Sequence, residues 1–445
     1  MTGGSATTQA SKIGVVGAGY VGLTTAACLA HLGHQVVCAD VDTERVDRLR
    51  RGEIPIVEEG LAEIVAATLA NGTLTFEVGA ARAAVDADVV FLCVPTPQGP
   101  DGGADLRYIE GAAAEIADAL RPGALVVNKS TVPVGSTRAV EDVLHRPDVA
   151  VVSNPEFLRE GTAVGDFLHP DRVVIGADDR AAGERLADVY APLDALVLIT
   201  DPASAETIKY AANGFLAMKV SFVNAIAAMC EAVGANVDDV VEGIGSDHRI
   251  GRSFLKPGPG WGGSCFPKDS KALVKLAADY GYDFTMMKGV IDVNDEQRRR
   301  MVGKVRTALG AGPGGGLRGA LVAVLGLTFK AGTDDLRDSP SLTMVRSLLA
   351  SGATVRAFDP TVGDRADGAK AVTLEGIELV GDPFRAARGA RVLVIATEWP
   401  EFAKLDLAAI AATMADDAVI VDTRNLLDPA AVRAAGLGYD GVGRP

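Results

Sequence analysis

The chain has 445 residues, of which 48% are hydrophobic, and a formal net charge of −15. That length can bury two or three domain cores. So acidic a chain has no global electrostatic reason to bind nucleic acid or an anionic membrane, so any anionic ligand must be held by local basic groups or helix N-termini.

The first ten residues, MTGGSATTQA, are small and polar and lack the basic start and apolar core of a signal peptide. The apolar run from Ile13 to Leu32 is broken by Gly and Thr, which makes it a poor membrane span. The cytoplasm is the expected location. The next segments alternate between strand-like and helix-like. KIGVVG, HQVVCAD, DVVFLCVP, ALVVNKST and VAVVSNP read as short buried strands. VGLTTAACLAHLG and YIEGAAAEIADAL read as helices between them. Such alternation predicts a parallel sheet covered on both faces. From Ala203 to about Gly234 runs one long helical pattern, apolar over much of its surface, which suits a buried or subunit-contacting helix. Helical pattern continues to about Leu309, and AGPGGGLRG then reads as a linker. ALVAVLGLTF, TVRAFDP, RVLVIAT and AVIVDTRN resume the strand pattern. SGATVRAFDP echoes LGHQVVCADVD: helix end, glycine, strand, acid. The expected fold is therefore α/β, with two doubly wound domains joined by a long central helix. The expected division is 1–202, 203–310 and 311–445.

The first strand runs into Gly17-Ala18-Gly19-Tyr20-Val21-Gly22, with a helix after it. In this setting Gly17 allows a tight turn, Gly19 lets the backbone approach a pyrophosphate, and Gly22 lets helix and strand pack closely. The helix N-terminus favours the phosphate charge. Asp40, 18 residues beyond Gly22, ends the second strand and can accept hydrogen bonds from an adenosine ribose. It would repel the extra phosphate of NADP, so NAD is the expected cofactor, with Arg45 as a neighbouring cofactor-side residue.

Five cysteines, Cys28, Cys38, Cys93, Cys230 and Cys265, contain no CxxC pair. A disulfide framework and a metal site are not expected. Four lie in apolar contexts and read as buried small hydrophobes. Cys265, in GGSCFPKD, sits among glycines and charges just before a helix-like segment. Pro267 suits a first helical turn, and both a helix N-terminus and the nearby Lys268 favour a thiolate. The preceding glycines, from Gly258 to Gly263, can bring backbone close to a ligand. Taken alone, this context fits either a reactive thiol or an inert loop cysteine. A nucleophilic thiol beside a nicotinamide can trap an aldehyde as a thiohemiacetal, which gives up a hydride to become a thioester. Water then releases an acid, so an alcohol is oxidised in two steps.

Lys209 and Asn213 stand four apart on the long helix, hence on one face. They fit either a solvated stripe or an amine and an amide donor for a developing oxyanion. Glu156 and Glu160 flank an apolar Phe-Leu pair after a strand end, where doubly wound folds place ligands. Thr131 also follows a strand, where Thr commonly caps or turns.

GPGWGGSCFPKD and NPEFLREGTAVGDFLHPDRVVIG strongly resemble the UDP-glucose 6-dehydrogenases of the UDP-glucose/GDP-mannose dehydrogenase family. So do VPTP with DGGADL, STVPVGST, AETIKYAAN, RIGRSFLKPGPG, FKAGTDDLRDSP and TEWPEF, in the family's order along essentially the whole chain. The resemblance implies two Rossmann-like domains flanking a long dimerising helix. It also implies oxidation of UDP-glucose to UDP-glucuronate with two NAD. Carried over by motif, Cys265 is the nucleophile and Asp269 supports acid–base and water chemistry. Lys209 and Asn213 hold the oxyanion, Thr131 and Glu160 orient a water, and Glu156 belongs to the sugar-binding and catalytic loop with Phe157 and Leu158. Phe254, Leu255, Lys256 and Gly262 fall in substrate loops, and Lys330 matches a UDP-binding lysine. Arg249 matches an arginine that reaches a neighbouring subunit's sugar site. Thr96, Thr131, Glu160, Lys268 and Arg337 match positions near the cofactor. Trp261 stands where many relatives carry Phe. GDP-mannose and UDP-N-acetylhexosamine dehydrogenases share the plan, although the latter usually carry GGHC where this chain has GGSC. A β-hydroxyacid dehydrogenase would lack the thiol motif, and a non-catalytic sugar-nucleotide sensor would be expected to lose Cys265 or Lys209.

Overall fold

The computed structural model describes residues 10–99, 103–312, 315–363 and 368–444. Residues 101–102 of the DGGADL motif and 313–314 of the linker lie outside the described residues. The chain forms two compact units, residues 1–212 with 271–281, and residues 213–270 with 282–445.

The first unit is built on eight strands: β1 (Lys12–Val16), β2 (Gln35–Asp40), β3 (Leu74–Val78), β4 (Val89–Leu92), β5 (Leu125–Asn128), β6 (Ala150–Ser153), β7 (Arg172–Gly176) and β8 (Leu196–Thr200). Their order is β3-β2-β1-β4-β5-β6-β7-β8. The first six are parallel and follow the doubly wound dinucleotide-binding order, while β7 meets β6 at one antiparallel bridge. The central strands are apolar on both faces because helices cover both, and β4 and β5 are buried along their whole length. One core layer gathers Leu23, Leu29, Phe76 and Phe91, and the opposite layer gathers Val90, Leu92, Ile109 and Ile116.

The second unit repeats the plan with β9 (Leu321–Leu325), β10 (Thr354–Phe358), β11 (Ile377–Leu379), β12 (Val392–Ile395), β13 (Val419–Asp422) and β14 (Gly438–Gly441). Their order, β11-β10-β9-β12-β13-β14, is the same connectivity, and every pairing is parallel. The fold is thus two Rossmann-like α/β domains joined by a long central helix, Pro202–Val233. Ala227 and Cys230 of that helix, with Met301 and Val305 of the helix Thr285–Ala308, complete the second core.

The two sheets differ at the turn after their first strand. In the first, the helix Tyr20–His31 starts directly behind the glycines. In the second, no helix begins until Pro340. Asp359, which follows β10 and echoes Asp40, is fully buried. It accepts the N–H groups of Leu327, Thr328 and Thr361 at 2.7, 3.2 and 2.9 Å. Its carboxylate is therefore committed to holding its own loops.

The sequence patterns correspond to β1, β2, β4, β5, β6, β9, β10, β12 and β13. Strands β3, β7, β8, β11 and β14 form as well. The central helix is long and apolar enough to cross a membrane by length and composition alone, with 33% of its most apolar window buried.

Candidate active site

The dinucleotide turn is built by sterics. Gly17 has φ +100, and a Cβ there would stand 2.6 Å from the Cys93 carbonyl oxygen. A Cβ on Gly22 would fall 1.8 Å from the Gly17 carbonyl oxygen. At Gly19 a Cβ would meet nothing within 4 Å, so this is where the backbone offers room for a pyrophosphate. Asp40 accepts the Ala18 N–H at 2.7 Å, which ties the turn to the end of β2. The Arg45 guanidinium lies 3.2 Å from the same carboxylate. Val21 packs half-buried against the first core. The Tyr20 hydroxyl donates to Glu58, whose carboxylate also accepts the N–H groups of Gly161 and Ala163, both at 2.7 Å. The turn and the loop carrying Glu160 thus share one carboxylate. Glu160 itself is half-buried. Thr96 donates to the Thr131 carbonyl oxygen at 2.9 Å, joining the loops behind β4 and β5. These residues fit NAD.

Beyond β6 the chain turns through Asn154 and Pro155 and buries Glu156. The Lys209 ammonium donates to the Glu156 carboxylate at 2.9 Å and to its carbonyl oxygen at 2.5 Å. The pair is 3% and 5% exposed. The Leu158 N–H donates to the same carboxylate at 2.6 Å. Burial alone would raise the Glu156 carboxyl. The Lys209 charge, its hydrogen bond, the Leu158 N–H and the charge of Lys129 outweigh burial and hold it below the ordinary carboxylate range. Phe157 is clamped by Arg172, whose guanidinium carbon sits 3.7 Å from the ring centroid.

One turn before Lys209, Glu206 reaches the loop after Thr131. It accepts the N–H groups of Gly135 and Thr137 at 2.7 and 3.0 Å and the Thr137 hydroxyl at 2.8 Å. The helix Ser136–Leu144 is thereby capped by a side chain from the central helix.

In the second unit, Cys265 directly precedes the helix Phe266–Asp279 and is half-buried. Ser264 Oγ lies 3.5 Å from its sulfur. The Cys265 carbonyl oxygen accepts the Asp269 N–H at 2.8 Å. The Asp269 carboxylate, 1% exposed, takes the Asn213 amide at 2.6 Å and the Lys268 ammonium at 2.8 Å. The glycines ahead of the thiol serve packing: a Cβ on Gly262 would meet the Asp338 carbonyl oxygen at 2.2 Å, and one on Gly263 would meet the Phe329 ring at 2.9 Å. Trp261 donates its indole N–H to Ser221 at 2.9 Å. Leu255 is buried, Lys256 is exposed, and Phe254 adopts φ +62. Lys330 Nζ stands 5.5 Å from the Phe329 ring centroid. Arg249 and Arg337 are exposed and lie on Asp247 and Asp335, at 2.6 and 2.8 Å.

Fold and turn define a dinucleotide-binding protein. The chain belongs to the UDP-glucose/GDP-mannose dehydrogenase family, matching its NAD binding domain over residues 11–194, its central domain over 203–296 and its UDP binding domain over 323–429. It is 47% identical over 444 residues to a UDP-glucose 6-dehydrogenase of Rhizobium meliloti (strain 1021), covering 98% of this chain and 100% of the relative. A solved UDP-glucose dehydrogenase from Pyrobaculum islandicum is 39% identical, with a TM-score of 0.89 and 99% of each chain covered. A UDP-D-ManNAc dehydrogenase structure from Pyrococcus horikoshii is 28% identical, with a TM-score of 0.84, covering 97% of this chain and 99% of that one. The chain therefore carries out NAD-dependent oxidation of a nucleotide sugar.

Three residues of the first unit were not singled out by sequence reasoning: Glu58, Lys129 and Glu206. Glu206 and Lys129 lie inside AETIKYAAN and NKST, but only the fold shows that their charges are buried.

The buried pair gives a test. Because Glu156 is held low, it contributes stability above its unfolded value, and that contribution is lost as pH falls through the lower folded value. Lys209→Met removes the nearer ammonium and its hydrogen bonds, leaving burial opposed only by the Leu158 N–H and the charge of Lys129, so Glu156 rises. Thermal and denaturant unfolding should show a loss of about 3–5 kcal/mol near pH 7. That deficit should shrink as pH is lowered and Glu156 takes up a proton. A deficit independent of pH would show that Glu156 does not carry it.

Proposed function

We propose that the chain oxidises UDP-glucose to UDP-glucuronate, with Cys265 as the nucleophile. The observation that carries this reading is Asp269, almost wholly buried one helical turn beyond Cys265 and gripped by the Asn213 amide. A buried carboxylate fixed beside the head of a helix is placed to handle protons for the thiol that heads it. The three segments 1–202, 203–310 and 311–445 then serve NAD binding, sugar chemistry with dimerisation, and UDP binding.

NAD, held on the Gly17–Gly22 turn with Asp40 at the ribose, supplies a hydride acceptor for each of two oxidations. Tyr20, Val21, Arg45, Thr96, Lys268 and Arg337 complete its surroundings. The primary alcohol at the sugar C6 loses a proton and a hydride to become an aldehyde. The Cys265 thiolate adds to that carbonyl, and Lys209 and Asn213 donate to the oxygen as it gains charge. Collapse of this thiohemiacetal with loss of a second hydride leaves a thioester. A water positioned by Thr131 and Glu160, with Asp269 receiving its proton, cleaves the C–S bond and releases the carboxylate. Glu156, Phe157 and Leu158 hold the sugar from one loop, and Phe254, Leu255, Lys256 and Gly262 from another. Lys330 holds the UDP moiety. The sum is one alcohol, two NAD and one water giving one carboxylate, two NADH and three protons.

We also propose that the chain works as a homodimer or larger homo-oligomer. Phe215, Phe222 and Met229 recur every seven residues on the central helix and are 59%, 53% and 57% exposed. An apolar stripe repeating at that spacing is suited to packing on a second helix. Exposed Arg249 is then available to the sugar site of the partner.

Incubation with limiting UDP-glucose and excess NAD should yield two NADH per sugar, and Cys265→Ser should lower acid formation by about a thousandfold or more while leaving NAD affinity unchanged. One NADH per sugar, or acid formation by the variant at the wild-type rate, would remove the thioester from the mechanism. UDP-N-acetylmannosamine and GDP-mannose, run alongside, should turn over far more slowly. In light scattering, Phe222→Glu should convert the oligomer to monomer with loss of activity; an unchanged mass would locate the interface elsewhere.

A further inference from the structure

Lys129 is a buried charge with no part in the mechanism above. It follows β5 immediately and is 5% exposed. Its ammonium donates to the Asn154 side-chain oxygen Oδ1 at 3.0 Å and to the Tyr190 hydroxyl at 3.3 Å. Tyr190 donates to the same Asn154 oxygen at 2.6 Å, and the Asn154 amide donates to the Val174 carbonyl oxygen at 2.8 Å. Both of these hydrogen-bond partners are neutral, so neither cancels the charge.

Lys129, Asn154, Glu156 and Tyr190 line one cavity, together with Asp166 and Arg172. The charged and titratable groups acting on Lys129 come from four neighbouring segments. They are Cys93 beyond β4, Glu156 beyond β6, Tyr190 after the helix Arg180–Val189, and Lys209 on the central helix. Burial keeps Cys93 a neutral thiol, raising it to about 12, and pushes Tyr190 up as well. The buried charges acting on one another here are therefore two ammonium groups and one carboxylate. Lys209 accounts for the carboxylate through its hydrogen bonds to Glu156. Lys129 supplies the surplus positive charge.

We propose that Lys129 is a positioning residue for the oxidation, a second buried ammonium that balances the Glu156 carboxylate when Lys209 turns from it to the reacting sugar oxygen. This rests on the reading of Lys209 as an oxyanion donor. An ammonium cannot serve the sugar oxygen and fully neutralise Glu156 at once. Without a second cation, Glu156 would be an unbalanced carboxylate in a buried site and would take up a proton instead. Burial lowers Lys129 to about 8, with the Glu156 carboxylate opposing that fall and the Lys209 ammonium adding to it. At neutral pH it is therefore mostly protonated and able to serve.

The experiment is the pH profile of kcat for Lys129→Met, with KM values measured at each pH. The acid limb should move up by about one pH unit, so kcat falls about tenfold at pH 6 and much less at pH 8. KM for NAD should stay constant. Asn154→Asp keeps the lysine but places a carboxylate on its ammonium, and should move the limb in the same direction; it decides the matter if Lys129→Met does not fold. Tyr190→Phe removes a hydroxyl and no charge, and should leave the limb in place. An unmoved limb in a folded charge variant, with a uniform loss at all pH, would overturn the proposal, as would an equal movement in Tyr190→Phe. Failure of the broader reading shows differently, as a wild-type yield other than two NADH per sugar.

Discussion

Glu206, Lys209 and Asn213 are among the polar side chains buried on the central helix, and each needs a partner. Leaving any one unpaired would cost several kcal/mol. Each finds its partner in the unit to which it belongs. Glu206 caps the helix after Thr131, Lys209 meets Glu156, and Asn213 holds Asp269. These contacts fix the rotation of the helix more tightly than apolar packing would, because a hydrogen bond tolerates less displacement than a van der Waals contact. Within each unit, the loops that carry the proposed chemistry are thereby anchored to that unit's own stretch of the helix. Positioning side chains to a fraction of an ångström is worth more to a reaction than any single contact is worth to stability.

The two domains share one strand order and diverge in what the first turn does. The Gly17–Gly22 turn leaves room at Gly19 and starts a helix at once, the combination a pyrophosphate needs. The segment after β9 starts no helix before Pro340, and its acid, Asp359, accepts the N–H groups of Leu327 and Thr328. A common scaffold thus supplies a dinucleotide site in one copy and a differently built loop in the other. Fold and site are separate levels of description.

Much of this was legible in the sequence because the signals are local. The glycine turn, Asp40 and the helix carrying Lys209 and Asn213 are each set by spacing within a single strand–turn–helix or within one helical turn. The echo of SGATVRAFDP with LGHQVVCADVD is realised as the same strand order in both sheets, although Asp359 is turned to a structural task. Other elements depend on partners far along the chain. Strand β14, with the sequence GYDG, has no apolar alternation and exists because β13 pairs with it. Glu58 meets Gly161 across 103 residues, and Glu206 meets Gly135 across 71. Lys129 lies in the strand-like ALVVNKST, and only the fold shows that its charge is buried. The glycines before Cys265 suggested close approach to a ligand. Their packing against Asp338 and Phe329 shows a second reason for having no side chain there.

The central claim is that Cys265 carries the sugar covalently between two oxidations. Enzyme quenched in acid during turnover with UDP-glucose and NAD, then digested and weighed by mass spectrometry, tests it directly. The account predicts a uronyl adduct on the peptide containing Cys265, released as a hydroxamate by hydroxylamine. An adduct on any other residue, or turnover that leaves no adduct in acid-quenched enzyme and yields no uronyl hydroxamate when trapped with hydroxylamine, would contradict it.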